Sequence, residues 1–253
     1  MKIAIRHELT FSPGAPSRAL AHLLLTALPS AQQKIEQWSI EMPGIDTAAQ
    51  FRDGYGNKAH LVSLIKPGDA ISVIVTGLVA TTDKAGVIGR LDLDPVPAIF
   101  RRSTASAKAD PALIEGLKRG SDIGVLHELM GRIHEAGAVQ QEQSEGAQRQ
   151  SQSSKPLDRV HAFIGAARAL NVPARHVTGY LFGDEDVASG FHCWAEIWDD
   201  GLGWIGFDPE LNLCPAERHV RLASALDAAS TMPVRTYPVW TALPAEKLVI
   251  SAA

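Results

Sequence analysis

One stretch of the chain brings together residue types that can move protons. In FHCWAEIWDDGLGWIGFDP, residues 191–209, His192 and Asp208 lie on two aromatic-rich runs that flank an Asp-Gly turn signal. This pattern predicts a β-hairpin. Alternation of side chains along each strand places both residues on one face, and a hairpin centred near Asp200 sets His192 directly opposite Asp208.

A histidine held by a carboxylate needs a third group before it can catalyse acyl transfer. The carboxylate fixes the tautomer of the imidazole and stabilises its cationic form, but neither group attacks a substrate. The alternative interpretation of the spacing is a polar cross-strand pair without a catalytic role. Cys193 is adjacent to His192 and therefore points to the opposite face of the strand, where a small buried residue is expected.

The composition limits partners, cofactors and location. A formal net charge of -4 provides no basic footprint for nucleic acid or for an anionic membrane, so we expect neither as a partner. The two cysteines, Cys193 and Cys214, lack the C-x-x-C spacing of metal sites, and no His/Asp cluster shows a metal-ligand spacing. We therefore expect no metal and no cofactor. So few cysteines favour a reducing compartment, which predicts a cytoplasmic location.

The pattern along the chain predicts three parts. Residues 1–85 alternate apolar and polar side chains between Gly-containing turn signals, which predicts a small antiparallel β-sandwich-like domain. Residues 86–109 contain two prolines and are predicted to be a connector. Residues 110–253 begin with a helix signal, in which Asp110 is the N-cap and Pro111 the first helical residue.

Within residues 110–253, a low-complexity run separates two helical patterns. The run QQEQSEGAQRQSQSS, residues 140–154, has no apolar side chain larger than Ala and is predicted to be a mobile loop. The second helical pattern begins near Pro156. It ends at Asn171, a residue that tolerates the left-handed conformation of a helix terminus.

Two blocks of sequence, AFIGAARALNVPARHVTGY and HCWAEIWDDGLGWIGFDP, together resemble the bacterial transglutaminase-like family. The tail LNLCPAERHVRLASALDAASTMPVR and the turn FRDGYGN are also similar to that family, so the resemblance covers most of the chain. It implies an α+β fold: a papain-like core, in which a helix packs on an antiparallel sheet, preceded by the β-rich N-terminal region. It also implies catalytic residues in the order Cys, His, Asp, with His192 and Asp208 in the last two places.

The nucleophile of the family does not carry over. The usual pattern at the helix start resembles GVC-x-D-x-x-H, and Asp158 and His161 fit its end. The sequence SKP then stands where GVC belongs, which puts Pro156 in the position of the nucleophile. Proline has no nucleophilic side chain and no backbone N–H to offer an oxyanion.

Four residues are conceivable substitutes for the missing thiol. Ser153 and Ser154 precede the helix and would need accurate placement against the imidazole, although they adjoin the predicted loop. Cys193 points away from His192 on its strand. Cys214 follows the Asp208 segment at a position where family members often carry a structural cysteine.

Three functions are consistent with these residues. We favour a pseudoenzyme that keeps the His192–Asp208 pair and binds a peptide or protein with glutamine or other amide groups. The second function is an active amide hydrolase, similar to cysteine proteases, or an acyltransferase with a substitute nucleophile. The third is a scaffold that acts through oligomerisation or another surface; the sequence leaves the oligomeric state open.

Overall fold

The structure, a computed structural model, describes residues 1–14, 16–145, 155–242 and 246–253, with the backbone alone described for residues 139–145 and 155–158. The described strands are β1 (Lys2–Ser12), β2 (Arg18–Leu23), β3 (Gln33–Glu41), β4 (Ala49–Arg52), β5 (Lys58–Ile65), β6 (Ile71–Thr81), β7 (Val87–Gly89), β8 (Ala174–Leu181), β9 (Gly190–Asp199), β10 (Gly203–Phe207), β11 (His219–Ala225), β12 (Val234–Tyr237), β13 (Thr241–Ala242) and β14 (Lys247–Ala252). The α-helices are α1 (Pro111–Ile114), α2 (Ile123–Glu145) and α3 (Lys155–Ala169), and short 3-10 helices cover Ile45–Thr47 and Pro97–Arg101.

Strands β1 to β6 build two antiparallel sheets that face each other. One sheet has the order β13-β1-β6-β3, with β14 also paired to β1, and the other has the order β12-β2-β5-β4. Alternate side chains such as Ile5, Val75 and Leu23 are buried between the sheets. The period-two pattern of the sequence therefore corresponds to one buried face per sheet, and the predicted sandwich-like N-terminal region is confirmed.

The last strands of the chain complete these two sheets. Strand β12 pairs with β2, and β13 and β14 pair with β1, so residues 234–252 lie beside the first strands. Strand β7, in the predicted connector 86–109, pairs with β10 in a third sheet. These pairings do not test which segments fold independently, and the division into 1–85, 86–109 and 110–253 stays a prediction.

The third sheet, in the order β11-β8-β9-β10-β7, carries the helices on one face. The apolar stripe of α3, with Val160, Phe163 and Ile164, packs on Ala195 and Ile197 of β9. Helix α2 adds its own apolar face to the same cluster. This helix on an antiparallel sheet is the papain-like, transglutaminase-like α+β arrangement that the resemblance implies, and the predicted fold class is confirmed.

Local signals set most helix ends. The side chain of Asp110 accepts a hydrogen bond from the N–H of Ala112 at 2.9 Å, and Asn171 has a φ of 68° after α3. Helix α2 extends further than predicted. It continues to Glu145, so residues 140–145 of the predicted mobile loop are helical. Gln and Glu favour helix, and the first glycine of the predicted loop is Gly146. The rest of that predicted loop, residues 146–154, lies outside the described residues.

A buried charge cluster ties the strands of the third sheet together on the face away from α3. The Glu196 carboxylate accepts from Arg175 Nε at 2.6 Å and from Arg221 Nε at 2.7 Å, and Arg175 also donates to Asp94 at 2.6 Å. The Arg175 guanidinium lies 3.7 Å from the ring centroid of Trp204. Burial alone would raise the pKa of Glu196, but the two guanidiniums outweigh it and lower that pKa.

Removing the central carboxylate is expected to destabilise the fold. Glu196→Gln leaves two buried guanidiniums without their shared anion, and we expect the free energy of unfolding to fall by about 3–5 kcal/mol. The matched control is Glu36→Gln, which removes an exposed ion pair with Lys2 and is expected to cost less than about 1 kcal/mol. Urea denaturation measures both, and equal losses would contradict a structural role for the cluster.

His176 is expected to make stability depend on pH. It is buried between α3 and the segment after β11, and it bonds the hydroxyl of Thr231 at 2.9 Å. Burial, and then the charge of His161, lower the pKa of His176 to about 3. Since the unfolded-state pKa is about 6.5, its contribution is present above that pH and is lost as the pH falls toward the folded-state value.

The variant His176→Asn isolates this contribution. Urea denaturation at several pH values between 4 and 6 gives the slope of the unfolding free energy against pH. We expect this slope to be smaller in the variant than in the wild type by about 1.4 kcal/mol per pH unit, which corresponds to the uptake of one proton on unfolding. The slope is independent of any uniform loss of stability that the substitution causes in the core. An unchanged slope would mean that His176 does not stay neutral in the folded protein.

Candidate functional site

The hairpin that carries His192 has a different register from the predicted one. Asp199 pairs with Gly203 across a three-residue loop, so the turn is centred on Gly201 and not on Asp200. Gly203 has a φ of 80°, the left-handed conformation that such a loop requires at its end. The prediction that Asp208 lies directly opposite His192 is therefore wrong, because the sequence did not reveal the loop length.

The two residues nevertheless meet. A register shift of two residues keeps both side chains on the same face, so Asp208, one residue past the end of β10, reaches His192 diagonally. The distance from His192 Nε2 to Asp208 Oδ2 is 2.6 Å. The other carboxylate oxygen accepts from the backbone N–H groups of Glu210 and Leu211, at 3.1 and 3.2 Å, so the carboxylate is held at both oxygens.

A second histidine, which the sequence analysis missed, completes the site. His219, at the start of β11, places Nε2 at 3.3 Å from the same Oδ2 of Asp208. The N–H of Ala216 donates to Nδ1 of His219 at 3.3 Å. Because Nδ1 is an acceptor, the neutral ring carries its proton on Nε2 and donates it to Asp208. Strand β11 follows the hairpin in sequence but pairs with β8 and not with β10, so local spacing does not reveal this contact.

Burial and hydrogen bonds together set the charges of Asp208 and His219. Burial alone would raise the pKa of Asp208, but the hydrogen bonds from His192 and His219 outweigh it and lower that pKa below its ordinary value. Burial is also the largest influence on His219 and lowers its pKa, against the opposing effect of Asp208. At neutral pH the site therefore holds an anionic carboxylate and a neutral His219 that donates to it.

His192, Asp208 and His219 are also residue types that bind metal ions. One candidate ligand atom from each lies within 4.8 Å of the others. A metal-bound imidazole nitrogen must be free of its proton, whereas Nε2 of His219 carries one while Ala216 donates to Nδ1. The donor set therefore fits a hydrogen-bonded group better than a metal centre, and the expectation that no metal binds stays a prediction.

A cleft of about 270 Å³ opens beside His192. Its walls are apolar and its edge is acidic; the lining residues are Leu181, Asp186, Val187, Ala188, Gly190, Phe191, His192, Glu210 and Leu211. Glu210 forms an ion pair with Arg159 of α3 at 2.5 Å, which places the early part of α3 near this edge. The cleft is slightly smaller than pockets for drug-sized ligands, which span about 300–1,000 Å³.

Neither cysteine has the position or the thiolate form that a nucleophile needs. Cys193 faces the α3 side of the sheet, as predicted, and burial followed by the charges of Asp208 and Glu210 raises its pKa to about 12. Cys214 lies 4.0 Å from Nε2 of His127, and burial is again the main cause that raises its pKa. Both thiols are free, and both stay protonated at neutral pH.

The predicted nucleophile position is described only in part. Pro156 lies in the first turn of α3, where the backbone is helical. Ser153 and Ser154 lie outside the described residues, so a substitute serine stays a prediction. Among the described residues, the His192 ring forms its hydrogen bond through Nε2 to Asp208, and its Nδ1 has no hydrogen-bond partner.

Comparisons with known proteins agree with this architecture. The family model of the transglutaminase-like superfamily matches residues 139–209, and that of the bacterial transglutaminase-like N-terminal region matches residues 3–80. No curated protein matches the chain.

Two solved structures are also similar. A crystal structure of a candidate cysteine protease from Cytophaga hutchinsonii has a TM-score of 0.71 at 20% identity, over 99% of this chain and 90% of that chain. The periplasmic domain of TgpA from Pseudomonas aeruginosa has a TM-score of 0.28 at 14% identity, over 83% and 88% of the two chains. At this identity the first similarity establishes the fold alone. With a matching core and a matching N-terminal region, this chain belongs to the transglutaminase-like superfamily.

Proposed function

We propose that this chain is a pseudoenzyme of its superfamily, which binds an amide-containing peptide or protein segment in the cleft beside His192 and does not transfer acyl groups. The observation that carries the proposal is Pro156 in the first turn of α3, at the position that the family pattern reserves for the nucleophile. In the related enzymes a cysteine there benefits from the positive end of the helix, which lowers the thiol pKa. Proline offers no atom for this chemistry.

The remaining site is suited to binding. Asp208 accepts from Nε2 of His192, which leaves the lone pair of Nδ1 as the acceptor that the ring can offer to a ligand. An amide N–H of a peptide is the matching donor, and the apolar walls of the cleft would take the aliphatic part of a side chain. His219 and the backbone donors keep Asp208 charged, and so keep the ring in this tautomer.

The proposal includes a cytoplasmic location and excludes nucleic acid and membrane as partners. Among the helices of the described ranges, none combines the length and apolar character that crossing a bilayer requires. The two thiols support the absence of acyl transfer, since the pKa of each is raised and Cys193 faces the opposite side of its strand.

A second candidate function is an active amide hydrolase or acyltransferase. The observation that favours it is the intact hydrogen bond between His192 and Asp208, because a 2.6 Å contact is the geometry that a working general base needs. It requires a nucleophile from outside the described residues, such as Ser153 or Ser154.

The proposed absence of a nucleophile at position 156 is tested by restoring a thiol at the start of α3. We expect Pro156→Cys to react with iodoacetamide at pH about 6.5 roughly 10- to 100-fold faster than an ordinary exposed thiol, because the helix end and His192 stabilise the thiolate. Ser251→Cys supplies that ordinary thiol, since Ser251 is exposed on β14. The increase should disappear in the double variant with His192→Ala. Mass spectrometry of the labelled protein gives the site and the rate.

The same labelling assay on the unmodified chain could contradict the proposal. Labelling of Cys193 or Cys214 near neutral pH that is lost on His192→Ala would contradict the proposal and support the second function. Labelling of residues 153–154 by a fluorophosphonate would do the same for a serine nucleophile.

Binding of an amide is tested by nuclear magnetic resonance of the histidine rings. A blocked dipeptide that contains glutamine is expected to shift the ring resonances of His192. The same dipeptide with glutamate should shift them less, because Asp186 at the edge of the cleft repels a carboxylate. His22, on β2 of another sheet, serves as the reference ring. Equal shifts with the two peptides would indicate that the cleft does not select an amide.

A further inference from the structure

The outer face of the sheet β12-β2-β5-β4, the side turned away from the sandwich core, is unusually apolar. Five large side chains stand on it with substantial exposure: Leu20 at 41%, Phe51 at 42%, Leu61 at 38%, Ile65 at 71% and Tyr237 at 77%. Single exposed apolar residues are ordinary, but a contiguous group on one sheet face indicates an interaction site.

The register of the strands makes this group contiguous. Leu20 of β2 pairs with Tyr237 of β12, and Leu61 of β5 pairs with His22 of β2. The rings of His22 and Phe51 are 5.8 Å apart, centroid to centroid, which connects the middle of the sheet to its β4 edge. Directly paired and diagonal side chains on one face lie within contact range, so the five residues form one surface.

The same face is positively charged. Arg18 and Arg235 stand on it, and Arg235 donates to Nδ1 of His22 at 3.0 Å. Neither guanidinium forms an ion pair with a carboxylate of the described residues. None of the exposed or half-buried outward positions of these strands carries Asp or Glu; those positions are Arg18, Leu20, His22, Ala49, Phe51, Leu61, Ser63, Ile65, Arg235 and Tyr237.

The opposite side of the sandwich differs in character. The outer face of the sheet that contains β1 carries both signs of charge, with the exposed Lys2 paired to Glu36 at 3.0 Å and Arg6 near Glu8 at 3.9 Å. This is the composition of a solvated sheet face. The apolar, basic face is therefore a property of one sheet and not of the sandwich in general.

We propose that this outer face is a docking surface for a partner protein that presents apolar side chains flanked by carboxylates. Aromatic residues and arginine are enriched in protein interfaces, and carboxylates of a partner would compensate the two guanidiniums as water is excluded. A second copy of this chain, docked face to face about a two-fold axis, would bring arginines toward arginines. Two guanidiniums in a chain of net charge -4 are too few to retain a polyanion.

The size of the face predicts a transient complex. Four strands about 4.8 Å apart and on average about 18 Å long give a surface of roughly 350 Å². This is about half of the ~800 Å² that one partner contributes to a standard interface. The surface lies on another sheet than His192, so the proposal is independent of what the cleft binds.

The test uses two labelled amphipathic helical peptides of about 18 residues, with Leu and Phe along one side. In one peptide Glu flanks the apolar side, and in the other Lys replaces every Glu. By fluorescence anisotropy we expect the Glu peptide to bind the full chain, and to weaken several-fold when NaCl is raised to about 0.5 M. The Lys peptide should bind at least about tenfold more weakly.

Variants assign the binding to this face. Arg18→Glu with Arg235→Glu, and Ile65→Ser with Tyr237→Ser, should each weaken the Glu peptide by about tenfold or more. The matched control is Arg6→Glu with Lys34→Glu on the opposite outer face, which makes the same charge change and should leave the affinity within about twofold. All six positions are exposed, and circular dichroism verifies that each variant folds.

Four outcomes would overturn the proposal. The first two are binding of neither peptide and equal binding of both peptides. The third is self-association, measured by light scattering, that is abolished by Ile65→Ser with Tyr237→Ser. The fourth is attachment to anionic lipid vesicles that is abolished by Arg18→Glu with Arg235→Glu. The third would assign the face to a second copy of the chain, and the fourth to a membrane surface.

Discussion

The two guanidiniums on Glu196 hold the strands on which the whole site depends. Glu196 lies on β9, four residues after His192, and Arg221 lies on β11, two residues after His219. The hydrogen bonds between these side chains fix β9 and β11 relative to β8, although β11 and β9 are not neighbours in the sheet. A buried anion is tolerated because two cations surround it, and the same arrangement sets the approach of both imidazoles to Asp208.

The side chains of the site are held in place by hydrogen bonds, although the described residues include no nucleophile. Asp208 is fixed by two side-chain and two backbone donors, so its position does not depend on the partner that an active enzyme would place across from His192. Networks in which every member is satisfied persist because breaking one bond leaves a buried polar group unpaired. This geometry can therefore persist whether or not a nucleophile faces His192.

Local features of the sequence predicted much of this structure. The hairpin, the shared face of His192 and Asp208, the direction of Cys193 and the cap at Asp110 all follow from strand alternation and capping rules within a few residues. The prediction that His192 lies directly opposite Asp208 is wrong because loop length sets the register of the hairpin. The register differs from the predicted one by two residues, which keeps both side chains on the same face of the sheet.

Features that depend on distant pairings were not predictable in this way. His219 reaches the site only because β11 pairs with β8, and a single sequence holds no signal for that contact. The predicted end of α2 is also wrong, because the polar composition that predicts a loop consists of residues that favour helix. The return of residues 234–252 to the first sheets is another consequence of topology.

That return has a consequence for how the chain acquires its shape. Strand β1 pairs with β14 along six residue pairs, from Ile3 with Ala252 to Glu8 with Lys247, and β2 is flanked by β12. During synthesis, β1 and β2 each keep one hydrogen-bonding edge uncovered until β12 and β14 have left the ribosome. Pairing of strands that are distant in sequence slows folding, and the uncovered strand edges can meanwhile pair with other chains.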